Sequence, residues 1–317
     1  MDALYNAAKP RVVAIGGPTA TGKTALSVAL AKRFGGEIIS ADSMQIYQGL
    51  DVGTAKVTPE EMQGVPHHLV GFLAPEQAFS VADFTTLAGK TITQLTAQGK
   101  LPLVVGGTGL YITSLLNGIG FTPEKVDPAI RQELQARLQA EGSQALYAEL
   151  AAVDPGYAAK VHPNNTPRVI RALELYRATG RKMSAEREAA RPAEKPYRSL
   201  CLCLTCRDRT LLYQRIDTRC DRMMQSGILE EAKLVYDHRD TYRTAAQAIG
   251  YKEFFPYFER TASLEACADK LKQASRNYAK RQLTWFRHMD GVTWLDAGAA
   301  DVRQTALRLT QDFLLKG

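Results

Sequence analysis

The sequence predicts an α/β fold: a parallel sheet core flanked by helices, interrupted by a helical insertion. Three observations predict it. Short apolar runs alternate with helical patterns over the first third of the chain. A glycine-rich loop ending in Lys-Thr joins the first run to the first helix. A long middle stretch shows helical periodicity and no strand pattern.

Taken in order, Arg11–Gly16 is a short apolar run of the kind that forms a buried parallel strand. Thr24–Phe34 places Leu26, Val28, Leu30 and Phe34 at helical positions. Glu37–Ser40, with Ile38 and Ile39, is a second strand. Ser80 is a candidate N-cap for a helix over Ser80–Gln98, followed by a strand over Leu101–Val105 that ends in Gly106-Gly107-Thr108. The 121–197 stretch reads as the helical insertion, with turns at Asp154-Pro155-Gly156, at His162-Pro163-Asn164-Asn165, and at Pro192 and Pro196. Residues 1–120 and 198–317 make the core on this reading. Ser199–Thr205 resumes a strand pattern, and long helices follow, broken by a short strand at Val292–Leu295.

The 317 residues suffice for a core and a second module. The apolar share is 45% and the charged share 23%, the balance of an ordinary soluble globular protein. Met1–Lys9 is too short and polar for a signal peptide, and no apolar run nears the roughly 20 residues a spanning helix needs. Five cysteines, an odd count, suit a reducing cytoplasm, so a cytoplasmic location is expected. The net charge of +7 favours an anionic partner without naming it.

Gly17-Pro18-Thr19-Ala20-Thr21-Gly22-Lys23-Thr24 fits G-x-x-x-x-G-K-S/T at each fixed position. Its glycines let backbone N–H groups converge on phosphate oxygens, and the helix that follows adds its positive dipole end. Lys23 neutralises phosphate charge, and the Thr24 hydroxyl is the candidate Mg²⁺ ligand. The core is therefore expected to be P-loop NTPase-like. Nucleotide-hydrolysing P-loop enzymes carry a strand-end acid to help hold the metal, yet the Leu101–Val105 strand ends without one. Asp42 instead follows the second strand. A carboxylate there can hold metal, accept a proton, bind a base, or cap the next turn.

Arg219 stands out on periodicity. With Asp208–Gln225 wound as a helix, Leu212, Ile216 and Met223 form an apolar arc, and Arg219 falls inside it. An inward arginine needs an anion, either a ligand or a structural ion-pair partner. Asp269–Met289 as one helix sets Leu271, Ala274, Tyr278, Trp285 and Met289 against Lys272, Arg276, Lys280 and Arg287 on roughly the opposite side, a stripe suited to phosphate contact. Arg168 and Arg171 share a helix face, which alone reads as a solvated basic surface. Cys201 and Cys203 share a strand face with Cys206 nearby, but no second pair completes a zinc set. His67-His68 reads as a loop with polar contacts.

The chain resembles the bacterial tRNA dimethylallyltransferase family. The resemblance is carried by Gly17–Thr24, Ile39–Tyr47, Asp51–Lys56, Val65–Leu69, Ser80–Phe84, Gly106–Tyr111, His162–Asn165, Arg168–Glu174, Gln247–Lys252 and Tyr278–Arg287, in family order over nearly the whole chain. It implies transfer of a dimethylallyl group from dimethylallyl diphosphate, with Mg²⁺, to the exocyclic amine of the tRNA adenosine just 3′ of the anticodon. It implies Asp42 as the base, with Lys23, Thr108 and Arg219 acting on the diphosphate, and a helical insertion that grips the anticodon stem-loop. It further implies tRNA contacts from Asp42, Ser43, Met44, Gln45, Thr108, Arg131, Arg168, Arg171, Gln247, Gly250, Tyr251, Lys252, Arg276, Lys280 and Arg287. A monomer free of the membrane is expected. A P-loop small-molecule kinase, which would bind ATP, is the rival reading, and an RNA-binding protein with a vestigial loop is a second.

Overall fold

The computed structural model describes residues 9–121, 127–190, 192 and 194–316. Of the Met1–Lys9 stretch, all but Lys9 lies outside the described residues. The chain divides into two compact units, Met1–Leu116 with Lys195–Gly317, and Asn117–Glu194.

The first unit opens with β1 (Arg11–Gly16), whose Val12–Ile15 are wholly buried. Helix α1 (Lys23–Phe34) follows the glycine-rich loop and stops at Gly35, which sits at φ 62°. Then come β2 (Gly36–Ser40), α2 (Pro59–Met62), β3 (His67–His68), α3 (Val81–Ala97), β4 (Leu101–Val105) and α4 (Gly109–Leu116). Ser80 caps α3 in a full capping box with Asp83, so the predicted start is met at the level of its hydrogen bonds. His67-His68 forms a short strand beside β2, not a loop, because His67 and His68 register with Ile38 and Ile39. His68 also bonds Glu37 at 2.6 Å, and Lys100 pairs with the same carboxylate.

In the second unit α5 (Pro128–Glu141), α6 (Ser143–Val153), α7 (Pro155–Ala158), α8 (Thr166–Thr179) and α9 (Met183–Ala189) enclose Leu134, Leu146, Leu150, Tyr157, Val169 and Leu173. All of its described secondary structure is helical. Asp154-Pro155-Gly156, expected as a turn, begins α7. The buried Asp154 carboxylate accepts from Tyr157 N–H at 3.1 Å and from Ser184 N–H at 2.8 Å, and the proline sits where a helix needs no N–H.

The chain re-enters the sheet at β5 (Arg198–Thr205) and continues through α10 (Arg209–Gln225), α11 (Ile228–Asp237), α12 (Phe255–Phe258), α13 (Leu264–Arg287), β6 (Val292–Asp296) and α14 (Val302–Leu315). The six strands are parallel, in the order β3-β2-β4-β1-β5-β6. Side chains alternate between the faces. Val13, Ile15, Ile38, Leu103 and Leu202 pack on one side with Leu26 and Leu30 of α1 and Ala306 of α14. Val12, Ala14, Ile39, Val104, Cys201 and Cys203 pack on the other with Phe84 of α3 and Ile112 of α4. Tyr197 joins that second cluster, which ties it to the first unit. A further cluster joins α10, α11 and α13 to Ile46, Tyr47 and Leu50.

Candidate active site

Ligands of an open parallel sheet bind beyond the carboxyl ends of the strands. A cavity of about 1080 Å³ lies there, lined by the phosphate loop, Asp42–Gln45, Asp51–Lys56, Gly106-Gly107, and residues of α10 and α13. All of its lining belongs to the first unit. The volume is at the upper end of the range of small-molecule sites, about 300–1,000 Å³.

The loop owes its shape to left-handed backbone at Ala20 (φ 63°) and Gly22 (φ 82°), with Gly17 at φ 132°. A side chain at Gly17 would meet the Leu204 carbonyl at 2.5 Å. Thr21 Oγ1 and Lys23 Nζ donate to the Pro18 carbonyl, at 2.8 and 2.7 Å. Gly22 caps α1 without a side-chain hydrogen bond, so the first amides of the helix stay open to an anion. Burial, then the nearby Arg219 charge, lowers the Lys23 pKa to about 8, against a smaller raising effect of Asp42.

Asp42 takes one of the roles the sequence left open, that of a cap. Its Oδ1 accepts from the amides of Met44 (2.9 Å) and Gln45 (3.2 Å) and so caps the turn after β2. Its Oδ2 accepts no hydrogen bond from the described residues and is left for the cavity. Thr108 accepts from Ser43 N–H at 3.2 Å and donates its own N–H to the Ala41 carbonyl at 3.3 Å, fixing the two strand ends together. Tyr278 lines the same cavity, and burial, then the nearby Asp42 charge, raises its pKa to about 12. Gly106 packs against that junction: an added Cβ would lie 2.1 Å from the Ala41 carbonyl oxygen. Gly106→Ala is therefore expected to destabilise the protein by about 1–3 kcal/mol through overpacking, as read by urea unfolding.

Arg219 sits in the cavity wall as its periodicity implied. It makes no ion pair or hydrogen bond with any described residue, so the structural-pair alternative is not realised. Burial lowers its pKa, and Asp42 is the first charge that opposes the effect. An inward cation with no ion-pair partner among the described residues is a candidate to meet an anionic ligand.

The remaining candidates separate. Ser43, Met44, Gln45, Gln247 and Lys252 line the cavity, with the Gln45 amide donating to the Ala55 carbonyl at 3.0 Å. Tyr251 does not line the cavity. It is wholly buried, packs under Gly53 and donates its hydroxyl to Glu231 at 2.7 Å. Gly250 is buried too, its N–H donated to Glu253. Both shape the wall from behind. The α13 stripe is interrupted: Arg276 pairs with Asp217 at 2.6 Å and Lys272 with Asp221 at 2.6 Å, both carboxylates of α10. Lys280 and Arg287 stay exposed. In the second unit Arg131 and Arg171 are both held by the buried Glu174, at 2.8 and 3.0 Å, while Arg168 is exposed.

Two residues escape the sequence reading. The Glu231 carboxylate accepts from the amides of Asp51 (2.7 Å), Val52 (2.9 Å) and Gly53 (2.8 Å) and so builds the loop opposite the phosphate cradle. Gln282 is buried between the phosphate loop and Gly107. Its signal was present, since a glutamine lies between Ala279 and Phe286 on the buried face of α13.

The comparisons agree with one another. The family model described as IPP transferase matches residues 45–289, and that for isopentenyl transferase matches 10–70. The tRNA dimethylallyltransferase of Bacillus subtilis is 50% identical over 92% of each chain. The crystal structure of a tRNA isopentenylpyrophosphate transferase from Bacillus halodurans has a TM-score of 0.71 at 44% identity, covering 96% of this chain and 97% of its own. A eukaryotic dimethylallyltransferase caught acting on tRNA has a TM-score of 0.80 at 32% identity, covering 96% and 79%.

Proposed function

Because the chain belongs to the IPP transferase family, we propose that it transfers a dimethylallyl group from dimethylallyl diphosphate to the exocyclic amine of the tRNA adenosine 3′-adjacent to the anticodon, releasing diphosphate. One observation carries the reading at the level of chemistry. A single cavity holds an anion cradle, an unpaired arginine and a carboxylate with one free oxygen.

An adenine amine is a weak nucleophile, its lone pair delocalised into the ring. Asp42 Oδ2 accepts the amine proton as the N–C bond forms. The allylic C–O bond breaks and leaves charge on the diphosphate. Lys23, Arg219 and the open amides of α1 meet that charge without having to reorganise. The donor needs only its phosphates cradled, so the missing acid after β4 is no defect here, whereas it counts against a kinase. The residues present also fit Mg²⁺. The Thr24 hydroxyl lines the cavity with no hydrogen-bond partner among the described residues, and this ion ordinarily adds substrate phosphates and water to one or two protein oxygens. When bound, Mg²⁺ neutralises charge on the leaving diphosphate.

The target base must leave its stack to reach Asp42, which a single-stranded anticodon loop permits at a cost of about a few kcal/mol. Lys280, Arg287 and Lys252 supply phosphate contacts from the first unit, and Arg168, with the carboxylate-held forks of Arg131 and Arg171, from the insertion that grips the stem-loop. No helix among the described residues is long and apolar enough to cross a membrane. The enzyme works in the cytoplasm as a monomer on this reading.

Incubation with radiolabelled dimethylallyl diphosphate, Mg²⁺ and unmodified tRNA tests the proposal. Label should enter the tRNA, and tight ATP binding with no transfer would favour the kinase. The lowered Lys23 pKa adds a pH signature. The ammonium is the form that binds the diphosphate, and it is lost as pH rises through about 8. Donor kcat/KM, which reports the free enzyme, should fall about tenfold per pH unit above that value. The alkaline limb of kcat should lie higher, because bound diphosphate holds the proton on.

A further inference from the structure

We propose that Gln282 is a positioning residue of the transfer reaction, clamping the phosphate loop to the turn after β4 so that donor and base keep a fixed spacing. The inference rests on the transfer reading above. The Gln282 Oε1 accepts the N–H of Thr19 at 3.0 Å, and its Nε2 donates to the carbonyl of Gly107 at 3.0 Å. One carboxamide thus spans the two loops that carry the two halves of the chemistry. Thr19 belongs to the cradle that holds diphosphate. Gly107 adjoins Thr108, which holds the Asp42 turn through Ser43.

Three further features favour a positional role over space filling. Gln282 is 6% exposed, and its buried neighbours on α13 (Cys267, Leu271, Ala279 and Phe286) are apolar. A leucine would fill the place without desolvating an amide, so the polar group is retained for its bonds. Gly107 leaves no room for a side chain, since a Cβ there would lie 2.1 Å from Nε2. Tyr278, one helical turn earlier on the same face, lines the same cavity and feels the Asp42 charge, so this face of α13 reaches the Asp42 side. With Thr19 N–H spent on Gln282 and Pro18 lacking one, the amides left for phosphate are those further along the loop and at the start of α1. Gln282 therefore also sets where the diphosphate sits.

Steady-state transfer to an anticodon stem-loop RNA, with the donor and the RNA varied separately, tests the assignment in the whole protein. Gln282→Leu removes both hydrogen bonds at similar volume. It should raise the donor KM about tenfold or more and lower kcat, because a small displacement of reacting groups costs as much as about 100-fold. The RNA dissociation constant should change less than about twofold, since Gln282 is almost wholly buried and its amide is engaged by Thr19 and Gly107. Gln282→Glu supplies a readout that a purely structural role would not move. Its ionised form offers no donor to Gly107, whereas its protonated form offers one O–H and one acceptor again. Donor affinity in that variant should recover toward the unsubstituted protein as pH falls, and donor binding alone suffices to read it. An unchanged donor KM in Gln282→Leu, equal losses of donor and RNA affinity, or no low-pH recovery in Gln282→Glu would each overturn the assignment while wild-type transfer stands. Absence of wild-type transfer would instead bring down the reading beneath it.

Discussion

Asp42→Asn is expected to slow dimethylallyl transfer by about 100- to 10,000-fold, the range over which a positioned general base acts. The substitution isolates that role. Asparagine keeps an oxygen where Oδ1 now accepts from Met44 and Gln45, so the turn after β2 keeps its cap. Only the free Oδ2 changes, from proton acceptor to amide donor. Thermal stability and RNA affinity should therefore stay close to those of the unsubstituted protein. Asp42→Ala also removes the cap, and should cost about 1 kcal/mol of stability on top of the lost chemistry. The pair of variants separates a base from a turn-former. Single-turnover transfer with labelled donor, set beside a melting curve for each variant, reads both. Full activity in Asp42→Asn with a loss confined to Asp42→Ala would make the carboxylate a structural cap and remove it from the mechanism. A side effect checks the electrostatics. Asp42 raises the Lys23 pKa, so Asp42→Asn should move the alkaline limb of donor binding downward.

The parts of this arrangement legible in the sequence are those whose cause is local. The phosphate loop is a contiguous motif between a strand and a helix, and both form where the apolar pattern puts them. The Asp42 position follows from strand polarity in a parallel sheet, and the inward Arg219 from helical period alone. What escaped depends on contacts remote in sequence. Glu231 reads as an ordinary first-turn acid of α11, and only the fold delivers the amides of Asp51, Val52 and Gly53 to it. Lys272 and Arg276 look like half of a basic stripe until α10 brings Asp221 and Asp217 alongside. Tyr251 carries a motif that resembles an RNA contact, yet its ring fills the space a side chain at Gly53 would need. Gln282 announced itself by the same logic as Arg219, a polar residue on a buried face, but periodicity could not say which loops it would join.

Arg219→Met should make the enzyme slower and the fold more stable at once. Methionine approximates the length of the arginine stem and carries no charge to desolvate. Arg219 has no ion-pair partner among the described residues, so in the ligand-free protein its burial, opposed by the Asp42 charge but by no direct pair, is a cost next to a second cation, Lys23. Removing it should raise the melting temperature, as expected where a site trades stability for function. Transfer should fall about 100- to 1,000-fold, the usual loss when one donor aimed at a developing anion is deleted. The Lys23 pKa ties the two effects together. The Arg219 charge is the second-largest cause of its depression, after burial. With that charge gone, Lys23 should stay protonated to higher pH, and the alkaline limb of donor kcat/KM should shift above about 8. The sign is opposite to that expected for Asp42→Asn, so one pH profile per variant distinguishes the two neighbours of the lysine. A melting temperature that falls together with activity would mean that Arg219 holds the fold, and that the diphosphate meets its charge elsewhere.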